Sequence, residues 1–262
     1  MKNDELTVNF AENVFDDKKM RRYLPRATYK AIRDARERNA PLTQKHLDIF
    51  AKALKKWARS KGALRYTHWF QPLNDFTAEK RDSLTSLNRE GNAVFKFRGK
   101  ELTKGEGDAS SLPNGGMRET FEARGITQWD CTSDVFIKGD CLYIPTTFRS
   151  FNGEALDKKT PLLKSCKALN KQALRVLELL GFSCLEVRCV VGAEQEYFLI
   201  DSDLFDKRKD LVYTGRTLFG AMPPKGQEFY DHYFSPPTDK VLRFMRKVDK
   251  ELWKLGIIVK TE

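Results

Sequence analysis

Apolar positions recur at helical spacing through the first sixty residues. Residues 16 to 38 (DDKKMRRYLPRATYKAIRDARER) are rich in helix formers. Pro25 suits the first turn of a second helix, where a missing N–H costs little. The pattern predicts a short helix followed by a longer one. After Pro41, Thr43 can cap a third helix, whose Leu47, Phe50, Ala51, Leu54, Trp57 and Ala58 share one face at a period near 3.6. Gly62 is placed to end it in the left-handed conformation.

The pattern then shortens. ALRYTHWF (63–70), AVFKF (93–97) and CLYI (141–144) are aromatic or β-branched runs separated by polar and glycine-rich stretches, which predicts a small sheet. GEGDASSLPNGG, between the last two, is too rich in Gly, Ser and Pro for a regular element and reads as a long functional loop. From Thr160 the helical period returns: Leu162, Cys166, Leu169, Ala173, Val176 and Leu180 form a stripe, opened by Pro161 and closed by Gly181. Strands are expected around CLEVRCVV and QEYFLI, and a final amphipathic helix from about Asp239 to Leu255. The expected fold class is α+β.

Composition narrows the function classes. With 262 residues and 40% hydrophobic content the chain can bury a substantial core. Its longest apolar run, Leu185 to Ile200, is broken by Arg188, Glu194 and Glu196, far short of the roughly 20 apolar residues that span a bilayer. The polar, acidic start MKNDELTVNF lacks the features of a secretory signal, so a cytoplasmic location and no membrane partner are expected. Five cysteines without a CxxC pair suggest reduced thiols filling the core, neither a disulfide framework nor a zinc knuckle. A net charge of +11 suits nucleic acid, an anionic surface or anionic small substrates. Because Lys and Arg are spread along the whole chain, a solvated basic surface is favoured and nucleic acid is not the expected partner.

Three segments offer chemistry. Glu194 and Glu196 sit at i and i+2 of an expected strand, so both carboxylates share a face about 7 Å apart. Two acids there call for a hard divalent cation such as Mg²⁺, which needs only one or two protein carboxylates, or for arginine partners on an exposed face. The loop GDASS (107–111) offers Asp108 and two hydroxyls, able to hold an ammonium group or equally to satisfy their own backbone in a turn. GAMPPKGQE (220–228) lacks the GxxxxGK[ST] spacing of a P-loop, so no nucleotide-binding residue is assigned. His46, His68 and His232 do not cluster and read as structural.

Taken in order, AENVF (11–15), THWFQPL (67–73), TAEKRDS (77–83), GDASSLPNGGMRETFEARG (107–125), FNGEALDKKTPLL (151–163), GAEQEYFLID (192–201), TGRTLFGAMPPKGQE (214–228) and DHYF (231–234) resemble the type III branch of the glutamine synthetase family. The resemblance implies a β-grasp-like domain ahead of a larger catalytic domain built on an antiparallel sheet. It implies ATP as co-substrate with Mg²⁺ or Mn²⁺, phosphorylation of the glutamate side chain, and displacement of the phosphate by ammonia. It places Glu194 and Glu196 among the metal ligands. It also places Asp108 and Ser111 on a latch that enters a neighbouring subunit's active site, where they handle ammonium and close the site. Glutamate, ammonia and ATP are the implied ligands, and a homo-oligomer or an assembly with full-length subunits the implied state.

The same resemblance marks departures. Family members continue past the helix ending near Leu255 into an NEVAPAQHE-like block with further Glu and His ligands and then substrate-binding arginines, whereas this sequence runs to IIVKTE. Ala193 stands where the family commonly has proline. The organisation expected is a helical extension at 1–62, a β-grasp-like domain with the latch loop at 63–155, and an incomplete start of the catalytic domain at 156–262. A fragment of a glutamine synthetase, inactive alone, is the leading expectation; a half-length, non-catalytic paralogue that binds or regulates a full-length enzyme is the alternative.

Overall fold

The computed structural model describes residues 9–73, 77–106, 125–192, 194, 199–218 and 237–259. It divides into two compact units, Met1–Cys189 with Leu252–Ile258, and Val190–Glu251 with Val259–Glu262.

The first unit contains three helices ahead of its sheet among the described residues, α1 (Asp17–Tyr23), α2 (Arg26–Arg38) and α3 (Gln44–Ser60). Each boundary has a local cause. Asp16 caps α1 by accepting from the Lys19 N–H at 2.9 Å. Pro25 sits at the N-cap of α2, and Asn39 leaves that helix in the left-handed region at φ 56°. Thr43 caps α3 in a reciprocal capping box with His46, which accounts for that histidine structurally. Gly62, at φ 78°, turns the chain out of α3 toward the sheet.

The sheet contains β1 (Arg65–Phe70), β2 (Ala78–Ser83), β5 (Thr103–Glu106), β6 (Gly125–Trp129), β7 (Phe136–Lys138) and β8 (Cys141–Ser150). Its order is β2-β1-β8-β6-β5, with β7 also on β8. The β1–β8 pair is parallel and the remaining pairs are antiparallel, so the sheet is mixed. A separate hairpin, β3 (Thr85–Leu87) with β4 (Ala93–Phe95), precedes a 3₁₀ turn at Gly99–Leu102. Five of these strands, β2, β3, β5, β6 and β7, lie outside the expected apolar runs. The charged β2 (AEKRDS) succeeds because it is an edge strand pairing only with β1, where polar side chains are favoured.

The helices cover the sheet with one core. Phe15, Met20, Ile32, Phe50, Leu54 and Trp57 from the helical side meet Tyr66, Leu102, Trp129, Ile137, Leu142 and Ile144 from the sheet side. Phe50 stacks on Trp129 with ring centroids 4.1 Å apart. A smaller cluster joins Phe70, Ala78, Phe148 and Leu156. Residues 252–258 belong to this unit too: the Ala11 and Asn13 N–H groups donate to the Trp253 and Lys254 carbonyls.

Helix α4 (Lys159–Leu179) follows β8 and is held at its start. The Asp157 carboxylate accepts from the Thr160 N–H, and Lys159 pairs with the buried Asp130 while donating to Ser133 Oγ at 2.6 Å. Beyond Thr160 none of its residues is buried. Cys184 to Val191 forms no strand: Leu185, Val190 and Val191 are almost fully exposed, since no described strand offers them a ladder. Of the five thiols Cys141 is buried and Cys131, half-buried, packs against the core, whereas Cys184 and Cys189 are exposed, so the expected core role holds for the first two and not the last two.

The second unit contains α5 (Ser202–Asp206), α6 (Lys209–Thr214) and most of α7 (Asp239–Lys254). Asp201 caps α5 by accepting from the Asp203 N–H. Arg208 forms a two-point ion pair with Asp210, which holds that carboxyl far below its ordinary range. No described helix is long and apolar enough to cross a membrane. Helices and a mixed sheet together make the described fold mixed α and β; a β-grasp assignment and the start of a catalytic domain are finer statements, taken up below.

Candidate functional site

Asp108 and Ser111 lie outside the described residues, but the strands on either side of their segment are described. Residues 107–124 join β5 to β6, whose facing ends Glu106 and Gly125 are register partners. The described strands β5 and β6 thus end and begin side by side, at one end of an antiparallel pair.

Polar side chains fasten that hairpin to the rest of the sheet. Tyr66 and His68 alternate onto one face of β1, as residues two apart in a strand must. The Tyr66 hydroxyl donates to Asp82 at 3.0 Å, with Glu101 Oε2 at 3.3 Å. Lys104 of β5 reaches the same Asp82 carboxylate at 3.0 Å. His68 is buried; its Nε2 donates to the Glu101 carbonyl at 2.7 Å and its Nδ1 meets the Thr127 hydroxyl of β6 at 2.8 Å. The Thr127 hydroxyl also lies 3.3 Å from the Lys104 carbonyl. One network thus ties β1, β2, the 3₁₀ turn, β5 and β6 together, and every tie to β5 or β6 helps fix the base of 107–124.

The electrostatics follow from these contacts. Burial and the neighbouring Glu101 and Asp82 carboxylates push the Tyr66 phenol far above its ordinary value, keeping it a donor. Burial alone would raise Asp82, yet hydrogen bonds from Lys104, the Ser83 N–H and Tyr66 outweigh it and hold the carboxyl below its usual value. Gly125 completes the base: a Cβ there would lie 2.1 Å from the Arg149 carbonyl oxygen, so β6 can approach β8 only with glycine at this position. None of these six network side chains stood out in the sequence as functional. The spacing of Tyr66 and His68 was the available signal, and nothing in it disclosed Asp82, Glu101 or Lys104 as partners.

Glu194 is exposed and lies outside helix and strand. Glu196 lies outside the described residues, as do residues 220–228 and His232. Among the described residues no three His, Cys, Asp or Glu side chains converge as a metal-binding cluster. The donor type still suits the implied ion, since an open carboxylate oxygen is what a largely hydrated Mg²⁺ accepts.

Residues 6–165 match the family model for the N-terminal region of type III glutamine synthetase. Three curated relatives align along nearly the whole chain. A glutamine synthetase of Bacteroides fragilis (strain YCH46) is 47% identical over 98% of this chain and 35% of its own length. A type-3 glutamine synthetase of Dictyostelium discoideum is 42% identical over 99% of this chain and 36% of its own length, and a glutamine synthetase of Butyrivibrio fibrisolvens 36% identical over 98% and 37%. The chain thus spans just over a third of the length of the relatives it matches. With the family model covering more than half of its residues, the chain belongs to the type III glutamine synthetase family, matching that family's N-terminal region.

Proposed function

We propose that this chain contributes part of an ATP-dependent glutamate–ammonia ligase. The observation that carries the reading is 47% identity to a glutamine synthetase sustained over 98% of the chain. In the reaction, the γ-phosphoryl group of ATP passes to the side-chain carboxylate of glutamate, releasing ADP. Ammonia then attacks the activated carbonyl carbon, phosphate leaves, and the excess proton passes to a base.

On this reading the chain carries a β-grasp-like domain over 63–155 behind the helical extension 1–62, and the first part of the catalytic domain over 156–262. The Asp108 carboxylate attracts ammonium and takes up a proton as ammonia attacks; the Ser111 hydroxyl donates to a substrate carboxylate and helps keep water out. Both act on the site of an adjacent protomer, so the hydrogen-bonded base of β5 and β6 serves to aim them. Glu194 and Glu196 would hold Mg²⁺ or Mn²⁺. The ion, when bound, supplies positive charge against the transferring phosphoryl group.

A chain spanning 35% of a relative's length leaves the remaining ligands to other sequence, so the purified 262-residue protein is expected to form no glutamine from glutamate, ammonia and ATP with Mg²⁺. A coupled assay of ADP release and glutamine formation tests this. Metal-dependent turnover at roughly 1 s⁻¹ or above would overturn the division of labour.

A further inference from the structure

Seven cations converge on the outer side of the first unit where the described structure offers them no acid. Four lie on α3: Lys52, Lys55, Lys56 and Arg59 are spaced at i, i+3, i+4 and i+7 and so share a face opposite the buried Phe50, Leu54 and Trp57. Such a stripe alone is the solvated face of an amphipathic helix. The β3–β4 hairpin and the residues after it add Arg89, Lys96 and Arg98. Their placement beside α3 is fixed, because the Gly99 N–H donates to Asp48 Oδ1 at 3.0 Å and the Lys96 N–H to the Leu84 carbonyl at 2.7 Å. The backbone at Gly99 comes so near that a Cβ would lie 2.7 Å from the Asp48 nitrogen.

Two hollows result, and Lys55 lines both. One of about 450 Å³ lies against the hairpin; the other, about 650 Å³, lies between α3 and α1 over Pro25, Ile49 and Ala53. No carboxylate lines either hollow among the described residues. The one acid of α3, Asp48, is already engaged by Gly99 and Gln44. The pairs Lys52–Lys56 and Lys55–Arg59 set like charges one turn apart, an arrangement unfavourable to the helix by itself.

We infer that this double hollow is a docking surface for an acidic, extended polypeptide segment of a partner protein. Charge complementarity names the sign of the occupant, and the shape names its form. Both hollows are open and share Lys55 in their linings, unlike the enclosed pockets that bury a small ligand. Single-stranded nucleic acid would need free aromatic faces for stacking. Here Lys56 and Arg22 sit 6.0 and 5.9 Å from the Tyr23 ring centroid, and Arg59 sits 5.4 Å from that of Phe95, so both rings already carry cations. The same face of a second copy carries the same cations and, among the described residues, no carboxylate, so two copies would not pair face to face through it.

The test measures anisotropy of a fluorescein-labelled oligoglutamate titrated with the full chain. Binding is expected, weakening about tenfold or more between about 50 and 200 mM salt. Lys52→Glu, Lys56→Glu and Arg59→Glu together should weaken it about 100-fold. The same reversal at Lys164, Lys171 and Arg175 on α4 should change it less than about twofold. If circular dichroism shows the first variant unfolded, the neutral set Lys52→Gln, Lys55→Gln, Lys96→Gln and Arg98→Gln replaces it, with a smaller loss expected. Absent binding, equal losses in groove and control variants, or tighter groove-dependent binding of an oligothymidylate would each overturn the proposal. So would self-association that depends on these same lysines.

Discussion

Helices α3 and α4 carry the same kind of apolar stripe and meet opposite fates. In α3, Phe50, Leu54 and Trp57 are 1%, 0% and 2% exposed; in α4, Leu162, Leu169 and Val176 are 59%, 54% and 55% exposed. Periodicity therefore predicts that a segment is helical and which face is apolar, but says nothing of what covers that face. The cover for α3 comes from the sheet, through Trp129 and its neighbours. For α4 the described residues supply contacts near its start, a hydrogen bond from Lys167 to Asn39 and one from the Val187 N–H to Asn170, none of which covers the apolar stripe. Relatives nearly three times as long have ample further sequence to supply the rest.

Substitutions should separate the two helices sharply. Trp57→Ala removes a ring packed against Phe15 and should cost about 3–5 kcal/mol in urea denaturation. Leu169→Ala, at the equivalent stripe position of α4, should stay within about 0.5 kcal/mol. Comparable losses at both positions would mean that α4 is packed in solution.

Gly125→Ala probes the strand base with a somewhat smaller effect. The added methyl must displace the Arg149 carbonyl, so a loss of about 1–3 kcal/mol is expected, with faster amide exchange along β6 than along β1. Unchanged stability and exchange would show that β6 relaxes freely at its start.

The join between the sheet and α4 should depend on pH. Burial would raise the Asp130 carboxyl, but the Lys159 charge, with hydrogen bonds from Lys159 and Thr132, outweighs it and holds it below its ordinary value. A carboxylate with a depressed folded pKa stabilises fully above its unfolded value of about 3.9 and loses that contribution as pH falls through the folded one. Asp130→Asn should therefore cost about 2 kcal/mol at pH 7, and the gap to the unsubstituted chain should close progressively below about pH 4. A gap independent of pH would assign the effect to packing.

The comparison also explains what could be read from the sequence. Local rules placed α1 to α4 and α7 within a residue or two, because Pro25, Thr43, Gly62 and Gly181 act on their immediate neighbours. The apolar runs gave β1, β4 and part of β8. The rest depends on contacts distant in sequence. Strand β2 is polar because it borders only β1, and β5 contains Gly105 and Glu106, which looked like loop residues. For the candidate site, Asp108 and Ser111 came from the family resemblance, while the network on the neighbouring strands was not legible, since Tyr66, Asp82, Glu101 and Lys104 are neighbours only after the sheet forms. The apolar run at 184–191 misled for the same reason: alternation makes a strand only where another strand receives it.

The central claim is that Asp108 acts on a neighbouring protomer's site. It is tested most directly by mixing this chain with a full-length type III relative whose aspartate at the corresponding position has been replaced, then assaying glutamine formation in the mixed assembly. The unsubstituted chain should restore activity, and its Asp108→Ala form should co-assemble without restoring it. Equal restoration by both forms, or the absence of any mixed assembly, would contradict the account.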